Sequence, residues 1–127
     1  MEVRVFSTAP KIAAGVAFGL LIAGSPAAAQ TVGGQYQVSG TNPNGSRYQG
    51  TATITPSSDS TCRIVWHTGS TSTGICMLAG KAFAASYVLG GKVGLVVYEL
   101  QADGSLKGVW TMADQPGSGT EVLTPAK

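Results

Sequence analysis

His67 is the residue in this chain whose chemistry best suits general acid or base work, because an imidazole titrates near neutral pH. It is the only histidine, it stands beside a loop rich in Ser, Thr and Gly, and no acidic residue adjoins it in sequence. No nucleophile-elbow pattern marks a serine, and residues 117–120, GSGT, lack the Gly-Lys-Ser/Thr step of a phosphate loop. We therefore expect a loop-edge histidine in water and a protein that is not an enzyme and needs no cofactor. A hydrolase is the less favoured alternative.

Cys62 and Cys76 are the two cysteines of the chain. With one histidine beside them they offer too few ligands for a zinc site, so we expect no metal. In an oxidising compartment the two thiols can pair. Both lie equally far from Gly69, and a hairpin centred there places them opposite each other on neighbouring strands. We expect a cross-strand disulfide that stabilises the fold by about 3 kcal/mol in the chain-entropy model.

Glu99 is the third candidate, and its position depends on how residues 94–112 pair as a β-hairpin. The Asp-Gly dipeptide at residues 103–104 suits a two-residue type I′ turn. That turn pairs Val97 with Trp110 and puts Glu99 opposite a glycine on the same, mostly apolar face. A ligand or a basic side chain could approach the carboxylate there, or Glu99 could lie at a barrel mouth in water. A three-residue loop would shift this pairing.

Trp66 and Trp110 complete the set of candidate binding residues, together with His67 and Glu99. Aromatic side chains in a small barrel more often pack in the core than serve as ligand platforms. Both interpretations therefore remain open for the two tryptophans.

Strands must position all of these residues, because the chain from residue 30 onward shows no helical periodicity and is rich in Thr, Val, Gly and Ser. Residues 42–45, NPNG, predict a type I turn with Gly45 at a G1 bulge. The alternation on either side of that turn predicts one buried and one solvated face. Buried positions are expected at Tyr36, Val38, Ala52 and Ile54, and also at Val97 and Trp110; Gln49, Thr51 and Thr53 are expected to be exposed.

Further turn signals, including Gly90-Gly91, divide the chain into about eight short strands with no crossover. This pattern predicts an all-β, up-and-down antiparallel barrel, which can be filled by side chains or hold one small ligand. Residues 36–50 and 98–108 echo each other, each running from a Tyr-x-apolar step through a turn to a Gly. Recurrent hairpin chemistry is the favoured explanation of this echo, and two similar binding rims are the alternative.

The first 29 residues have the three parts of a secretory signal peptide: basic residues, an apolar run over residues 12–23, and Ala27-x-Ala29 at the cleavage position. The apolar run is too short to span a bilayer of about 30 Å. We expect cleavage before Gln30, a single domain over residues 30–127, no membrane span in it, and a periplasmic or secreted location. With 8 Lys and Arg against 6 Asp and Glu, the charge is too balanced to favour nucleic acid as a partner.

Six segments resemble a family of small exported alphaproteobacterial proteins that are commonly labelled fibronectin-binding protein or hypothetical protein. They are TATIT (51–55), TCRIVW (61–66), GICM (74–77), GLVVY (94–98), DGSL-x-GVWT (103–111) and GTE-x-LTP (119–125). The resemblance implies a non-enzymatic binding protein whose partner is a fibronectin-like matrix protein, and it implies no catalytic residues. The segment DGSL-x-G-x-W (103–110) is also similar to hairpins of avidin-like barrels, which supports the barrel architecture.

The sequence thus predicts an exported β-barrel, stapled by a disulfide, that binds a protein or other envelope partner. The alternatives are a barrel that binds a small ligand and an envelope protein with a structural role.

Overall fold

The structure, a computed structural model, describes residues 31–127, and these form a closed antiparallel barrel of eight strands. Each strand pairs with the next along the chain, and the last closes the barrel against the first. This arrangement confirms the predicted up-and-down barrel. The strands are β1 (Gly34–Thr41), β2 (Arg47–Pro56), β3 (Thr61–His67), β4 (Thr71–Ala79), β5 (Ala82–Leu89), β6 (Lys92–Leu100), β7 (Leu106–Met112) and β8 (Gly119–Pro125).

The predicted signal peptide, residues 1–29, lies outside the described residues. In residues 31–127 there is no helix of the length and apolar character that a membrane crossing requires.

The first hairpin, β1 with β2, has the predicted turn and the predicted faces. Asn42 N–H donates to Ser46 O (2.8 Å) and Gly45 N–H to Asn42 O (2.8 Å), which closes a three-residue loop with Gly45 at a φ of 89°. Ala52 and Ile54 point into the barrel and are buried, whereas the outward-facing Thr51 is exposed. Thr53, predicted to be exposed, is half-buried.

The second hairpin, β6 with β7, differs from the prediction by one residue. Gln101 N–H donates to Ser105 O (2.8 Å) and Gly104 N–H to Gln101 O (3.0 Å), so the loop has three residues and not two. The partner of Val97 is therefore Val109 and not Trp110. This shift turns the odd-numbered residues of β6 outward, and the predicted burial of Val97 is wrong, since its exposed fraction is 53%.

The same shift corrects the predicted position of Glu99. The carboxylate lies on the outer surface opposite Lys107, and the buried residues of β6 are Val96, Tyr98 and Leu100. On β7 the inward face is as predicted, although Trp110 is half-buried and not fully buried.

Cys62 and Cys76 are direct cross-strand partners on β3 and β4, with 5.0 Å between their Cα atoms, and they form a disulfide. The hairpin is centred on Gly69, since His67 pairs with Thr71. The structure therefore confirms the predicted pairing. The tight turn at Gly90-Gly91 is confirmed as well, with both glycines at positive φ.

The barrel interior has two ends. We call the end that carries the turns at residues 57–60, 80–81 and 101–105 the closed end, and the end that carries residues 42–46, 68–70, 90–91 and 113–118 the open end. Apolar side chains fill the closed end, where the largest that are fully buried are Ile54, Ile64, Phe83, Leu106 and Leu123.

Candidate functional site

A cavity of about 210 Å³ occupies the open end of the barrel. Its rim includes turn residues such as Asn42 and Ser70, so it is reached from that end. Among the residues of 31–127 that line it, four are aromatic and one carboxylate is the only charged side chain. The residues that determine its chemistry are Tyr48, Trp66, Ser72, Tyr87, Trp110 and Glu121.

Glu121 is placed inside the barrel by the alternation of β8, in which Gly119, Glu121 and Leu123 face inward. Its side chain is 6% exposed. A buried carboxylate is costly unless hydrogen bonds satisfy it. Three do so here: the Tyr48 hydroxyl donates to Oε1 (2.7 Å), the Trp66 indole N–H donates to Oε2 (2.9 Å), and the Tyr98 hydroxyl also donates to Oε2.

Glycines beside Glu121 make room for the tyrosines that reach it. Gly40 of β1 and Gly108 of β7 are the cross-strand neighbours of Glu121. A Cβ atom on Gly40 would overlap the Tyr48 ring, and one on Gly108 would crowd the Tyr98 ring. Each tyrosine therefore lies across a position that has no side chain, and its hydroxyl extends to the carboxylate.

Cross-strand glycines also make room for the remaining rings of the cavity. Tyr87 pairs with Gly94 and Trp110 pairs with Gly119, and in both cases a Cβ atom on the glycine would overlap the ring. The Tyr87 hydroxyl donates to Thr111 O (3.2 Å). Aromatic rings paired with inward-facing glycines thus shape the open end.

The rings contact one another edge to face. The centroids of Trp66 and Tyr87 are 5.3 Å apart, and those of Tyr48 and Trp110 are 6.3 Å apart. Such contacts hold aromatic side chains in fixed orientations, so the walls of the cavity are largely preformed.

The tyrosines are strongly held in their neutral form. Burial, followed by the negative charge of Glu121, raises the pKa of Tyr87 to about 12 and raises the pKa of Tyr48 and of Tyr98 well above 10.0. At neutral pH these hydroxyls therefore carry their protons and act as donors.

Ser72 adds a polar group that the fold leaves unused. Its side chain is 8% exposed and lines the cavity beside Trp66, its cross-strand partner. Within residues 31–127 the Ser72 hydroxyl has no hydrogen-bond partner. Buried polar groups are nearly always paired, so an unpaired hydroxyl in a cavity wall is a position that water or a ligand can satisfy.

The structure brings two of the four predicted binding residues into the cavity, Trp66 and Trp110. His67 is exposed on the outer face of β3, with Nδ1 3.2 Å from Thr71 Oγ1. Glu99 is exposed near the closed end, so the two residues do not meet. Among residues 31–127 no three His, Cys, Asp or Glu side chains are grouped to bind a metal.

Glu121 was missed by the sequence reasoning, and a signal for it exists. In GTEVLTP (119–125), Gly119, Glu121 and Leu123 lie on the same face of the strand. If Leu123 faces the core, the Glu121 carboxylate must therefore lie inside the barrel.

A second surface of interest lies on the outside of β4 to β7, which we call the apolar outer face. Met77, Ala84, Val97 and Val109 form one cross-strand row on it. The adjacent row includes Ile75 and Leu95, which are 63% and 57% exposed, and an open groove of about 480 Å³ lies along β3 to β6. The outer faces of β1 and β2, by contrast, carry mainly Gln, Ser and Thr.

Comparison with known proteins finds similarity in fold alone. The chain matches no protein family and no curated protein. Among solved structures, the redesigned beta barrel b11L5F_LGL is similar, with a TM-score of 0.68 and 20% identity over 76% of this chain and 92% of that one. The redesigned beta barrel mFAP1, bound to DFHBI, has a TM-score of 0.66 and 22% identity over 74% of this chain and 94% of that one. These matches establish the barrel fold.

Proposed function

We propose that this protein is an exported, non-enzymatic binding protein whose barrel takes up a small molecule at its open end. The observation that supports this most directly is the aromatic cavity with a buried Glu121 and an unpaired Ser72 hydroxyl. Binding sites for small molecules typically combine apolar and aromatic walls with a few converging polar groups. That the similar barrel mFAP1 is bound to DFHBI is consistent with such a role for this fold.

The size of the cavity limits the ligand. An engineered cavity of about 150 Å³ in another protein binds benzene, so a cavity of about 210 Å³ has room for a molecule with one ring and a short polar substituent. Larger ligands would extend through the open end into water.

The two tryptophans make this function directly measurable. The chain has two, Trp66 and Trp110, and both line the cavity. A single-ring ligand should shift both indole N–H resonances in a titration followed by NMR. Ser72→Leu, which fills part of the cavity, should weaken that response, whereas Ser39→Leu on the exposed outer face of β1 should leave it unchanged. Equal responses in the two variants, or no response to any single-ring compound, would argue against the proposal.

Export is a separate part of the proposal. It is supported by the signal-peptide pattern of residues 1–29 and by the Cys62–Cys76 disulfide, which suits an oxidising compartment. The intact mass of protein recovered from the periplasm or medium should correspond to a chain that begins at Gln30. Recovery of the full chain from the cytoplasm alone would contradict it.

A second candidate function, binding of a protein partner, is supported by the apolar outer face. Exposed apolar patches of this kind often mark protein-binding surfaces. The resemblance in the sequence implies a fibronectin-like matrix protein as that partner.

The test is binding of the protein to immobilised fibronectin. Val97→Lys, in the middle of the apolar outer face, should abolish binding, and Thr51→Lys, on the polar outer face, should preserve it. If the unmodified protein does not bind, or if both variants behave alike, this second function is refuted without consequence for the cavity.

A further inference from the structure

The cavity at the open end has an unbalanced charge. Glu121 is its one charged lining residue, and within residues 31–127 no Lys, Arg or His side chain pairs with the carboxylate. Its three hydrogen-bond donors, from Tyr48, Trp66 and Tyr98, are all neutral. Neutral donors satisfy the lone pairs but leave the negative charge in place, in an environment of low dielectric where charge interactions are strong.

The carboxylate also has an open acceptor position. A carboxylate offers about four lone-pair positions for hydrogen bonds. Oε2 accepts two bonds, from Trp66 and Tyr98, whereas Oε1 accepts one, from Tyr48. One position on Oε1 is therefore available to a donor on a ligand, in addition to the unpaired Ser72 hydroxyl.

From these contacts we infer that the ligand of the open end is an organic cation, a primary or substituted ammonium attached to a small apolar group. This inference rests on the proposed small-molecule function and specifies its ligand class. The ammonium would donate to Oε1 of Glu121, and the apolar group would lie against the rings of Trp66, Tyr87 and Trp110. Aromatic rings attract cations as well as apolar groups, so the walls and the carboxylate favour the same ligand.

The test compares three compounds of nearly equal size that differ in charge: benzylammonium, benzyl alcohol and benzoate. Affinities are measured at neutral pH from the indole N–H resonances of Trp66 and Trp110. We expect benzylammonium to bind at least about tenfold more tightly than benzyl alcohol, because the carboxylate attracts the positive charge as well as accepting a hydrogen bond, and this attraction is strong in an environment of low dielectric. Benzoate should not bind.

Glu121→Gln removes the charge with little change of shape. The amide oxygen can accept from Trp66 and Tyr98 in place of Oε2, and the amide nitrogen can donate to the Tyr48 hydroxyl, which can also accept. This variant should lose the preference for benzylammonium. Glu99→Gln, which removes a charge from the outer surface, should retain it.

The possible outcomes are distinct. If benzyl alcohol binds as tightly as benzylammonium, the cationic ligand is refuted while the small-molecule function stands. If none of the three compounds binds, the cationic ligand is refuted, and the small-molecule function is refuted only if other single-ring compounds also fail to shift the indole N–H resonances. If Glu121→Gln does not fold, the comparison of the three compounds on the unmodified protein decides the question.

Discussion

The same eight strands build the two ends of the barrel interior from different side chains. At the closed end, Ile54, Ile64, Phe83, Leu106 and Leu123 are at most 1% exposed. At the open end, aromatic rings with polar atoms surround a cavity of about 210 Å³. Well-packed apolar side chains give the most stability, and a cavity gives up some of it. The difference indicates that stability resides mainly at the closed end and binding at the open end.

Tyr98 joins the two ends. Its ring packs against Phe83, with centroids 5.9 Å apart, and its hydroxyl reaches Glu121. Tyr98 thus connects the carboxylate to the packed core of the closed end, and this contact holds the carboxylate in place before a ligand binds. Such preorganisation lowers the cost of binding.

The largest expected effect is a difference in stability between leucine-to-alanine variants at the two ends. Leu106→Ala at the closed end should lower the free energy of unfolding by about 3–5 kcal/mol, because the side chain is fully buried and its loss leaves a void. Leu89→Ala at the half-buried rim should cost about 1 kcal/mol or less. Chemical denaturation of both variants measures the difference, and equal losses would mean that the ends do not differ in this way.

The disulfide should have the next largest effect, and it should act on stability without affecting the cavity. Cys62 and Cys76 are separated by 14 residues, and releasing a loop of this size costs about 3 kcal/mol in the chain-entropy model. The variant Cys62→Ser with Cys76→Ser should melt at a lower temperature and yet keep the indole N–H resonances of Trp66 and Trp110. Two reactive thiols in the native exported protein would contradict the pairing itself.

Removal of the carboxylate should have a smaller effect on stability. Glu121→Leu leaves the Trp66 indole N–H and the Tyr98 hydroxyl without their acceptor, and an unpaired buried donor costs about 1–3 kcal/mol. The variant also removes the cost of a buried charge, so the net loss should be smaller than the loss from the disulfide. Glu99→Leu, on the outer surface, should be close to neutral. If Glu121→Leu is more stable than the unmodified protein, the carboxylate is kept at a cost, and the case for its role in binding becomes stronger.

A change from neutral pH to just above pH 10 should produce the smallest effect, because only part of each phenol has then lost its proton in the unfolded chain. The pKa of each of the four tyrosines is raised above 10.0 in the folded protein, chiefly by burial. Above pH 10 the unfolded chain therefore releases phenolic protons that the folded protein retains, so stability is complete below pH 10 and falls as the pH rises beyond it. Denaturation midpoints on either side of pH 10 measure this fall. It should be smaller in Tyr87→Phe, and a midpoint independent of pH would contradict the assignment.

Much of the fold is predictable because its local signals are strong. The symmetry of Cys62 and Cys76 about Gly69, the turn at Gly90-Gly91 and the alternation of β2 each define a register, and the structure has all three. The predicted register of the second hairpin was wrong because Asp103-Gly104 suits both a two-residue turn and a three-residue loop. The bond from Ser105 N–H to Asp103 Oδ1 (2.9 Å) accompanies the longer loop.

The internal echo of the chain distinguishes the two loop lengths of the second hairpin. Asn44 Oδ1 accepts from Ser46 N–H (2.9 Å) in the first hairpin just as Asp103 Oδ1 accepts from Ser105 N–H in the second. The two loops have the same construction, so the G1 bulge predicted for the first applied to the second. The cavity was harder to predict, because Glu121 meets Tyr48, Trp66 and Tyr98 only when β8 closes the barrel.

The most direct test of the division between the two ends is a map of backbone and indole NMR shifts across the whole domain on addition of benzylammonium. The largest changes should fall on residues around the cavity, including Glu121, Ser72 and both indole N–H groups. Residues at the closed end, such as Leu106 and Ile64, should change little. Changes centred on the closed end or on the apolar outer face, with the two indole resonances unmoved, would contradict it.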